Sequence, residues 1–209
     1  LGRQAAMLQQ EIAERARTQE QLAVQFAVAR LLADADRLAG PAAQLLQVLC
    51  ERLDFVAGAL WLAEADTSSL QCVEVWSRQE PALKAFLTMA HSSYDAPDSA
   101  LLERIRRHGQ PVWIGAICDE AEFRRGAVAE HATLAAAALV PVRVGLRTAG
   151  VIELYATAKR APDSGLTELL GALGDQIGQF LGRLEQQQRI ERLSRVHAVL
   201  RGINSALVR

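Results

Sequence analysis

The stretch that decides the fold is residues 134–157, which read LAAAALVPVRVGLRTAGVIELYAT. Residues 134–144 and 150–157 are apolar runs of strand length, and residues 145–149 between them have the composition of a turn. Pro141 cannot donate a ladder hydrogen bond, so it predicts an edge or a bulge in the first strand. These residues therefore predict two strands joined by a turn.

The segments on either side of this stretch alternate between short helical and short extended patterns. Apolar spacing predicts helices, and β-branched or aromatic runs predict strands. Helices are predicted at residues 42–53, 81–91, 99–108 and 123–131, and strands at 55–62, 70–77 and 111–114, with a turn at 66–69. Ser99 is a candidate N-cap and Gly109 a C-terminal stop for the third of these helices.

The first 39 residues predict one long helix with a seam of residues spaced alternately by four and three. This spacing is typical of the a and d positions of a coiled coil, which favours pairing with a second copy. Arg15 and Gln19 interrupt the apolar seam, and polar seam residues fix the register of a coiled coil. A single amphipathic helix packed on its own domain is the alternative. The seam consists of Leu1, Ala5, Leu8, Ile12, Arg15, Gln19, Leu22, Phe26, Ala29 and Ala33.

A last long helix begins near Asp163 and carries two apolar faces. The first face is predicted to pack on the sheet, and the second is predicted to meet a partner helix, with the change of phase at residues 186–188. His197 and Asn204 are polar members of the second face. The first face consists of Leu166, Leu170, Leu173, Ile177, Phe180 and Leu184, and the second of Ile190, Leu193, His197, Leu200, Asn204 and Leu207.

Composition and charge exclude several classes of protein. The 209 residues are 50% hydrophobic and 22% charged with a net charge of -1, which is globular usage without bulk attraction to nucleic acid or anionic membranes. The apolar run at 134–142 is far shorter than the ~20 residues that a membrane span needs. Three scattered cysteines fit a reducing cytoplasm. Because the chain begins at Leu1 and ends in a helical pattern, we expect a piece of a longer protein, which is cytoplasmic or the cytoplasmic part of a membrane-anchored receptor.

Three stretches in order resemble the GAF family: residues 58–62 (GALWL), residues 109–114 (GQPVWI) and residues 150–155 (GVIELY). The first is followed by Leu70 and Trp76 on the next strand, and the third is preceded by Pro141 and Val142. Residues 11–22 resemble the helix that follows a HAMP or PAS unit in bacterial sensors. Residues 189–205 resemble a helix leading to a further module of a cyclic-di-GMP signalling protein.

The resemblance implies an α+β fold, with an antiparallel sheet of about five or six strands sandwiched by helices. The terminal helices would form a coiled-coil-like bundle on one face, and a ligand pocket would lie on the other face, under the segment between the third and fourth strands. The implied domains are a signalling helix at 1–39, a GAF-like domain at 40–184 and a linker helix at 185–209. The implied role is a non-catalytic sensory module of a sensor kinase, or of a cyclic-di-GMP cyclase or phosphodiesterase, working as a homodimer.

Aromatic residues around a basic residue suit an apolar or anionic small ligand. The residues that could line such a pocket are Trp76, Trp113, Cys118, Phe123 and Arg124. The plainer interpretation is that the tryptophans and Phe123 are core residues and that the domain is a ligand-free dimerisation spacer. No cofactor or metal is required by the sequence.

Other activities have weak support in the sequence. Ala198 follows His197, where a phosphoacceptor signature has an acidic residue, and the Asn-Lys pattern of cyclic-nucleotide-binding relatives is absent because Asn204 is the one asparagine. Attachment of a bilin needs a cysteine beside a histidine, and neither Cys118 nor His131 has that neighbour. An isolated histidine does not indicate haem.

An enzyme is the second alternative, since the GAF reductases of free methionine sulfoxide use three clustered cysteines. This chain has three cysteines, Cys50, Cys72 and Cys118, but they are far apart in sequence and fit buried small side chains equally well. Phosphate-binding loop, HExxH and GxSxG motifs do not occur.

Overall fold

A computed structural model describes residues 2–33, 35, 37–38, 40–63, 70–91, 101, 104–105, 108–119, 126–161 and 163–207. The helices are α1 (Gly2–Ala33), α2 (Ala42–Arg52), α3 (Pro81–His91), α4 (Gly126–His131) and α5 (Ser164–Leu207), with a 3-10 turn at Ile117–Asp119. The strands are β1 (Ala57–Ala63), β2 (Leu70–Ser77), β3 (Val112–Ile114), β4 (Ala136–Val144) and β5 (Arg147–Ala156). The predicted turn at 66–69 lies outside the described residues.

The five strands form one antiparallel sheet in the order β2-β1-β5-β4-β3. The predicted α+β class and sheet are confirmed. The hairpin β4–β5 lies at the centre of the sheet, and β5 pairs with β1 on its other side. Both central strands are almost fully buried, which is why residues 134–157 read as apolar runs rather than as an alternating pattern.

Pro141 lies in β4 opposite Val151, beyond the short stretch of β4 that pairs with β3. A register shift follows between Val142 and Arg143. Of the two alternatives that the proline predicted, the bulge is present next to it, whereas β4 is not an edge strand because β3 pairs with its first half.

The turn between β4 and β5 is shorter than the sequence indicated. Arg147 pairs with Val144, so β5 begins at residue 147 and the turn is Gly145 and Leu146 alone. Gly145 has φ 62°, a conformation that glycine adopts without steric cost. Residues 147–149, which we assigned to the turn, belong to the strand because the hairpin pairing extends to its tip.

Each face of the sheet is covered by its own group of helices. On one face, α1, α2 and α5 pack in a cluster that includes Val28, Leu46 and Ile177. On the other face, α3 packs in a cluster that includes Phe86, Leu101, Ile105, Ile117 and Leu134. The expected sandwich, with both terminal helices on one side, is confirmed.

Helix α5 begins at Ser164, where the side chain of Asp163 accepts a hydrogen bond from the N–H of Gly165 at 2.9 Å. This contact is an N-cap, and the helix begins where the sequence predicted, near Asp163. All five predicted inner-face residues from 166 to 180 are buried and Leu184 is partly buried. The helix continues without interruption through residues 186–188 to Leu207.

Glycines allow α5 to lie very close to β4. A Cβ at Gly174 would overlap the carbonyl oxygen of Pro141, and a Cβ at Gly178 would overlap the backbone of Arg143. The Arg143 guanidinium donates two hydrogen bonds to the Asp175 carboxylate, at 2.7 and 2.6 Å. Together these contacts fix the position of α5 along β4.

Helices α1 and α5 run in the same direction across the domain. A Cβ at Gly165 would lie 3.2 Å from the Gln21 side chain, and further along, Ala29 and Ala33 lie beside Gly182. The first half of α1 therefore extends past one end of the domain, and α5 extends past the other. Residues 186–207 alone span roughly 33 Å at ~1.5 Å per residue.

Candidate functional site

The face of the sheet opposite the terminal helices holds a buried carboxyl group. Glu153 in β5 is 0% exposed, and it is the one charged side chain buried in the described part of the chain. Its Oε2 accepts a hydrogen bond from Trp61 Nε1 at 2.9 Å and another from the Tyr155 hydroxyl at 2.8 Å. We call Trp61, Glu153 and Tyr155 the buried polar triad.

Strand geometry places the three side chains together. Tyr155 lies two residues after Glu153 and so shares its face, while Trp61 in β1 pairs with Val151 and is the diagonal neighbour of Glu153. Phe86 of α3 packs edge-on against the Tyr155 ring, with centroids 5.1 Å apart. The triad is thus held between the centre of the sheet and α3.

A carboxyl group in such a position is costly unless it is hydrogen-bonded, because burial removes its hydration. Two donors converging on one oxygen satisfy part of this requirement, and no buried side-chain N or O atom in the described residues lacks a partner. Glu153 lies within residues 150–155, which resemble the GAF family, but it is not among the residues predicted from the sequence to line a ligand site. The available signal was a lone acidic residue inside the apolar run of residues 150–156.

Of the residues predicted to line a pocket, the three that the structure describes are not brought together. Trp76 and Trp113 pack against the cluster that α1, α2 and α5 form, on the face opposite the triad. Cys118 is exposed on the 3-10 turn. Phe123 and Arg124 lie outside the described residues. A ligand-binding role for these five residues stays a prediction.

Trp113 nevertheless has the aromatic and basic neighbours that the prediction sought. The Arg160 guanidinium lies 5.3 Å from the centroid of the Phe55 ring and 5.9 Å from that of Trp113. Trp113 Nε1 donates to the Arg160 carbonyl at 2.7 Å, and Arg160 Nη1 donates to the Leu53 carbonyl at 2.9 Å. The basic partner therefore comes from the β5–α5 connection, and it ties that connection to the end of α2.

The residues predicted for the dimer interface lie on exposed helix surfaces. Exposed fractions reach 64% for Ile12, 70% for Phe26 and 65% for Ile190. The opposite side of α1 is buried at Val24 and Val28, so the second half of α1 belongs to the core as well. Leu8, Leu22, Leu193 and His197 are also exposed, and the side chains of Leu200, Asn204 and Leu207 lie outside the described residues.

The three cysteines occupy separate environments. Cys50 of α2 is buried in the cluster that α1, α2 and α5 form. Cys72 packs against the cluster on the opposite face of the sheet, and Cys118 is exposed. Burial raises the pKa of the Cys50 thiol far above its ordinary value, so its thiolate is disfavoured. Within the residues that the structure describes, no group of His, Cys, Asp and Glu could hold a metal, and no helix is long and apolar enough to cross a membrane.

The family model for the GAF domain matches residues 40–181, about two thirds of the chain. The chain belongs to the GAF family. The match ends inside α5, and the part of α5 that projects beyond the sheet lies outside it. A search of curated proteins finds no match.

Solved structures of other GAF proteins share the fold. The GAF domain of a phosphoenolpyruvate-protein phosphotransferase from Coxiella burnetii superposes with a TM-score of 0.67 at 8% identity, covering 82% of this chain and 98% of that one. The GAF domain of a putative sensor histidine kinase from Pseudomonas syringae gives 0.57 at 16% identity, covering 87% and 96%. The free methionine-R-sulfoxide reductase of Neisseria meningitidis gives 0.58 at 13% identity, covering 77% and 87%. At these identities the likeness is one of fold alone.

Proposed function

We propose that this GAF domain is a non-catalytic sensory and regulatory module of a bacterial signalling protein. It works as a parallel homodimer held through α1 and α5, and it relays an upstream or ligand-induced change to an output domain. A kinase, a diguanylate cyclase or a phosphodiesterase would supply that output. Such a relay needs only a few kcal/mol of difference between two arrangements of the helices, since about 5.5 kcal/mol reverses a population almost completely.

The observation that carries the proposal is the pair of two-faced helices. Each of α1 and α5 buries one side in the domain and exposes large apolar side chains on another, including Phe26 and Ile190. Regularly spaced exposed apolar residues on a long helix are stabilised by a partner helix. Because α1 and α5 point the same way and project from opposite ends, a change in one projecting helix reaches the other through the domain.

A small ligand would act on the face of the sheet that carries the buried polar triad. Glu153 and Tyr155 lie there, one residue away in sequence from Ile152 and Leu154, which contact the helices on the other face. A change in the position of β5 on the ligand side therefore moves residues in the helix-facing cluster directly. This proximity supports the face of the triad as the input side.

Two other functions remain as alternatives. A ligand-free dimerisation spacer would pair through the same helices but would bind no ligand on the face of the triad. A reductase of free methionine sulfoxide, like the Neisseria neighbour, would need its cysteines close together, and the separation of Cys50 from Cys72 by the sheet does not support this. If turnover were detected, its survival in a variant with all three cysteines replaced by serine would eliminate the cysteine mechanism.

Sedimentation velocity tests the pairing. We expect a dimer at tens of micromolar, converted towards monomer by Leu22→Asp, because a charge in an apolar seam loses its hydration on pairing. Arg17→Asp introduces the same side chain on an exposed position away from the seam and should leave the dimer intact. A wild-type monomer at this concentration would rule out the relay.

Thermal denaturation against a panel of metabolites tests the input. A ligand that binds only the folded state raises the melting temperature, by an amount that follows its concentration relative to its Kd. A specific rise that Tyr155→Phe reduces would support the triad face as the binding face and exclude the spacer. A panel without any shift favours the spacer.

A further inference from the structure

The connection between β5 and α5 is held in place by the side chain of Arg160, which is partly buried. The Arg160 guanidinium lies 5.3 Å from the centroid of the Phe55 ring and 5.9 Å from that of the Trp113 ring. Its Nη1 donates a hydrogen bond to the carbonyl of Leu53, the C-cap residue of α2, at 2.9 Å. Aromatic rings and a helix C-terminus both attract a cation, so these contacts hold the guanidinium at one position at the end of α2.

The backbone of the same residue is in contact with β3. Trp113 Nε1 donates a hydrogen bond to the Arg160 carbonyl at 2.7 Å, and a Cβ at Gly115 would lie 3.0 Å from that oxygen. β3 is an edge strand of the sheet and pairs with β4 over three residues. Because so short a ladder has few hydrogen bonds, the contacts with Arg160 are a significant additional attachment for β3.

The connection leads from Arg160 to the start of α5 within three residues. Asp163 caps α5, and its side chain accepts a hydrogen bond from the N–H of Gly165 at 2.9 Å. A Cβ at Gly165 would lie 3.2 Å from the Gln21 side chain, so α5 begins beside α1. Val24 is buried three residues after Gln21. The start of α5 therefore lies where α1 enters the domain.

β3 also leads to the face of the sheet that carries the buried polar triad. The 3-10 turn at Ile117–Asp119 follows β3, and Ile117 is buried in the cluster that contains Trp61 and Tyr155. The Ile117 N–H donates to the Ala135 carbonyl at 2.8 Å, just before β4. A displacement on the face of the triad that moves this turn therefore also moves β3, which contacts Arg160.

We propose that Arg160 is a latch that joins β3 to the start of α5, so that a displacement of β3 reaches the place where α1 and α5 meet. The inference rests on the proposed function, in which the face of the triad is the input side. The hydrogen bond between Trp113 and the Arg160 carbonyl weakens steeply once its atoms separate by about 1 Å more. A displaced β3 therefore either draws the connection with it or breaks the contact, and the latch has a closed and an open arrangement.

Hydrogen exchange of the full chain, followed by mass spectrometry, tests the latch. Arg160→Ala removes the guanidinium contacts, so peptides covering β3 and residues 163–170 should exchange about tenfold faster. Lys159→Ala is the matched control, because the Lys159 side chain is 69% exposed and its 3.5 Å ion pair with Asp119 contributes little. It should leave both peptides unchanged. Unchanged exchange in Arg160→Ala would overturn the latch, and so would equal acceleration in β2, at the opposite edge of the sheet, because that would mean a general loss of stability.

A double-mutant cycle separates a latch from two independent contacts. Trp113→Phe removes the donor to the Arg160 carbonyl and keeps an aromatic ring, so residues 163–170 should exchange about fivefold faster. In the Arg160→Ala background, the same change should have little further effect on residues 163–170, because the connection is already released. Effects that multiply would show that Trp113 and Arg160 act separately, and the latch would then be refuted.

These contacts all lie within one protomer, so the exchange rates test the latch whether or not the chain dimerises. A chain that is monomeric in sedimentation but shows the coupled exchange would lose the proposed relay and keep the latch. A dimer in which exchange at residues 163–170 is independent of Trp113 would keep the pairing and lose the latch.

Discussion

Gly171 and Gly178 lie on one side of α5, seven residues apart, and offer a matched test of how that helix contacts the sheet. A Cβ at Gly171 would lie 3.7 Å from Pro111 Cγ, which is ordinary contact. A Cβ at Gly178 would overlap the carbonyl oxygen, carbon and nitrogen of Arg143. The same substitution, glycine to alanine, should therefore have opposite effects on stability at the two sites.

The magnitudes follow from two opposing contributions. Alanine favours the helix over glycine by about 1 kcal/mol, so Gly171→Ala should stabilise the domain by about 0.5–1 kcal/mol. At Gly178 the obstructing atoms are backbone and cannot rotate away, so α5 or β4 must move. Overpacking costs about 1–3 kcal/mol, and the upper part of this range applies here because the Cβ would overlap backbone atoms. After the helix preference of about 1 kcal/mol is subtracted, Gly178→Ala should be less stable by about 1–2 kcal/mol.

Urea unfolding followed by circular dichroism at one fixed protein concentration measures the difference, since the proposed dimerisation would make stability depend on concentration. We expect the two variants to differ by about 2 kcal/mol, or roughly 4–8 °C in melting temperature for a domain of this size. If Gly178→Ala were as stable as Gly171→Ala, the close approach of α5 to the Arg143 backbone would be refuted.

Four variants test α1, the core and the triad. Leu22→Asp should leave the circular dichroism spectrum of the core intact, whereas Ile152→Asp should abolish it, because an unpaired charge in the buried cluster costs several kcal/mol; melting of the whole domain by Leu22→Asp would place that side chain in the core. The raised pKa of Cys50 keeps its thiol protonated in the folded state, so above the ordinary thiol pKa of 9.0 the unfolded state alone loses that proton and stability falls as pH rises. This loss is at most about 1.4 kcal/mol per pH unit and should be absent in Cys50→Ala. If urea unfolding gave the wild type and Cys50→Ala the same dependence of unfolding free energy on pH, the expectation would be contradicted. Tyr155→Phe removes one of the donors to Glu153 and should cost about 1–3 kcal/mol by the same assay, while an unchanged midpoint would mean that this hydrogen bond contributes no net stability.

Local signals in the sequence predicted most of the elements well. The helix at 81–91 and the strand at 70–77 have the predicted bounds, because a proline opens the one and apolar spacing marks the other. Gly109 has φ 59° and donates its N–H to the Ile105 carbonyl at 2.8 Å, which is the conformation and contact expected of a glycine at a helix C-terminus. Such features depend on neighbours in sequence and are visible without a structure.

The candidate site was harder to predict because its parts meet only through pairing of strands. Trp61 and Glu153 are 92 residues apart, and their contact depends on the β1–β5 register, which the sequence does not specify. Trp113 was predicted as a pocket residue because it is one of several aromatic residues that could surround a basic residue. The alternation of side chains along β3 places Trp113 on the face covered by α1, α2 and α5, and places Ile114 on the opposite face.

The contacts between α5 and the sheet also decide how a signal could pass. Arg147 reaches Glu185 at 2.7 Å, where α5 leaves the domain, but both side chains are about half exposed, and such a pair contributes at most about 1 kcal/mol. The backbone contact at Gly178 allows almost no sliding without a larger cost. Packing therefore fixes α5 to β4, and the ion pair at the exit can break without releasing the helix. A change in β5 is then expected to move the hairpin and α5 together, as one body, and to alter the helix pairing beyond Glu185 by rotation or displacement rather than by detachment.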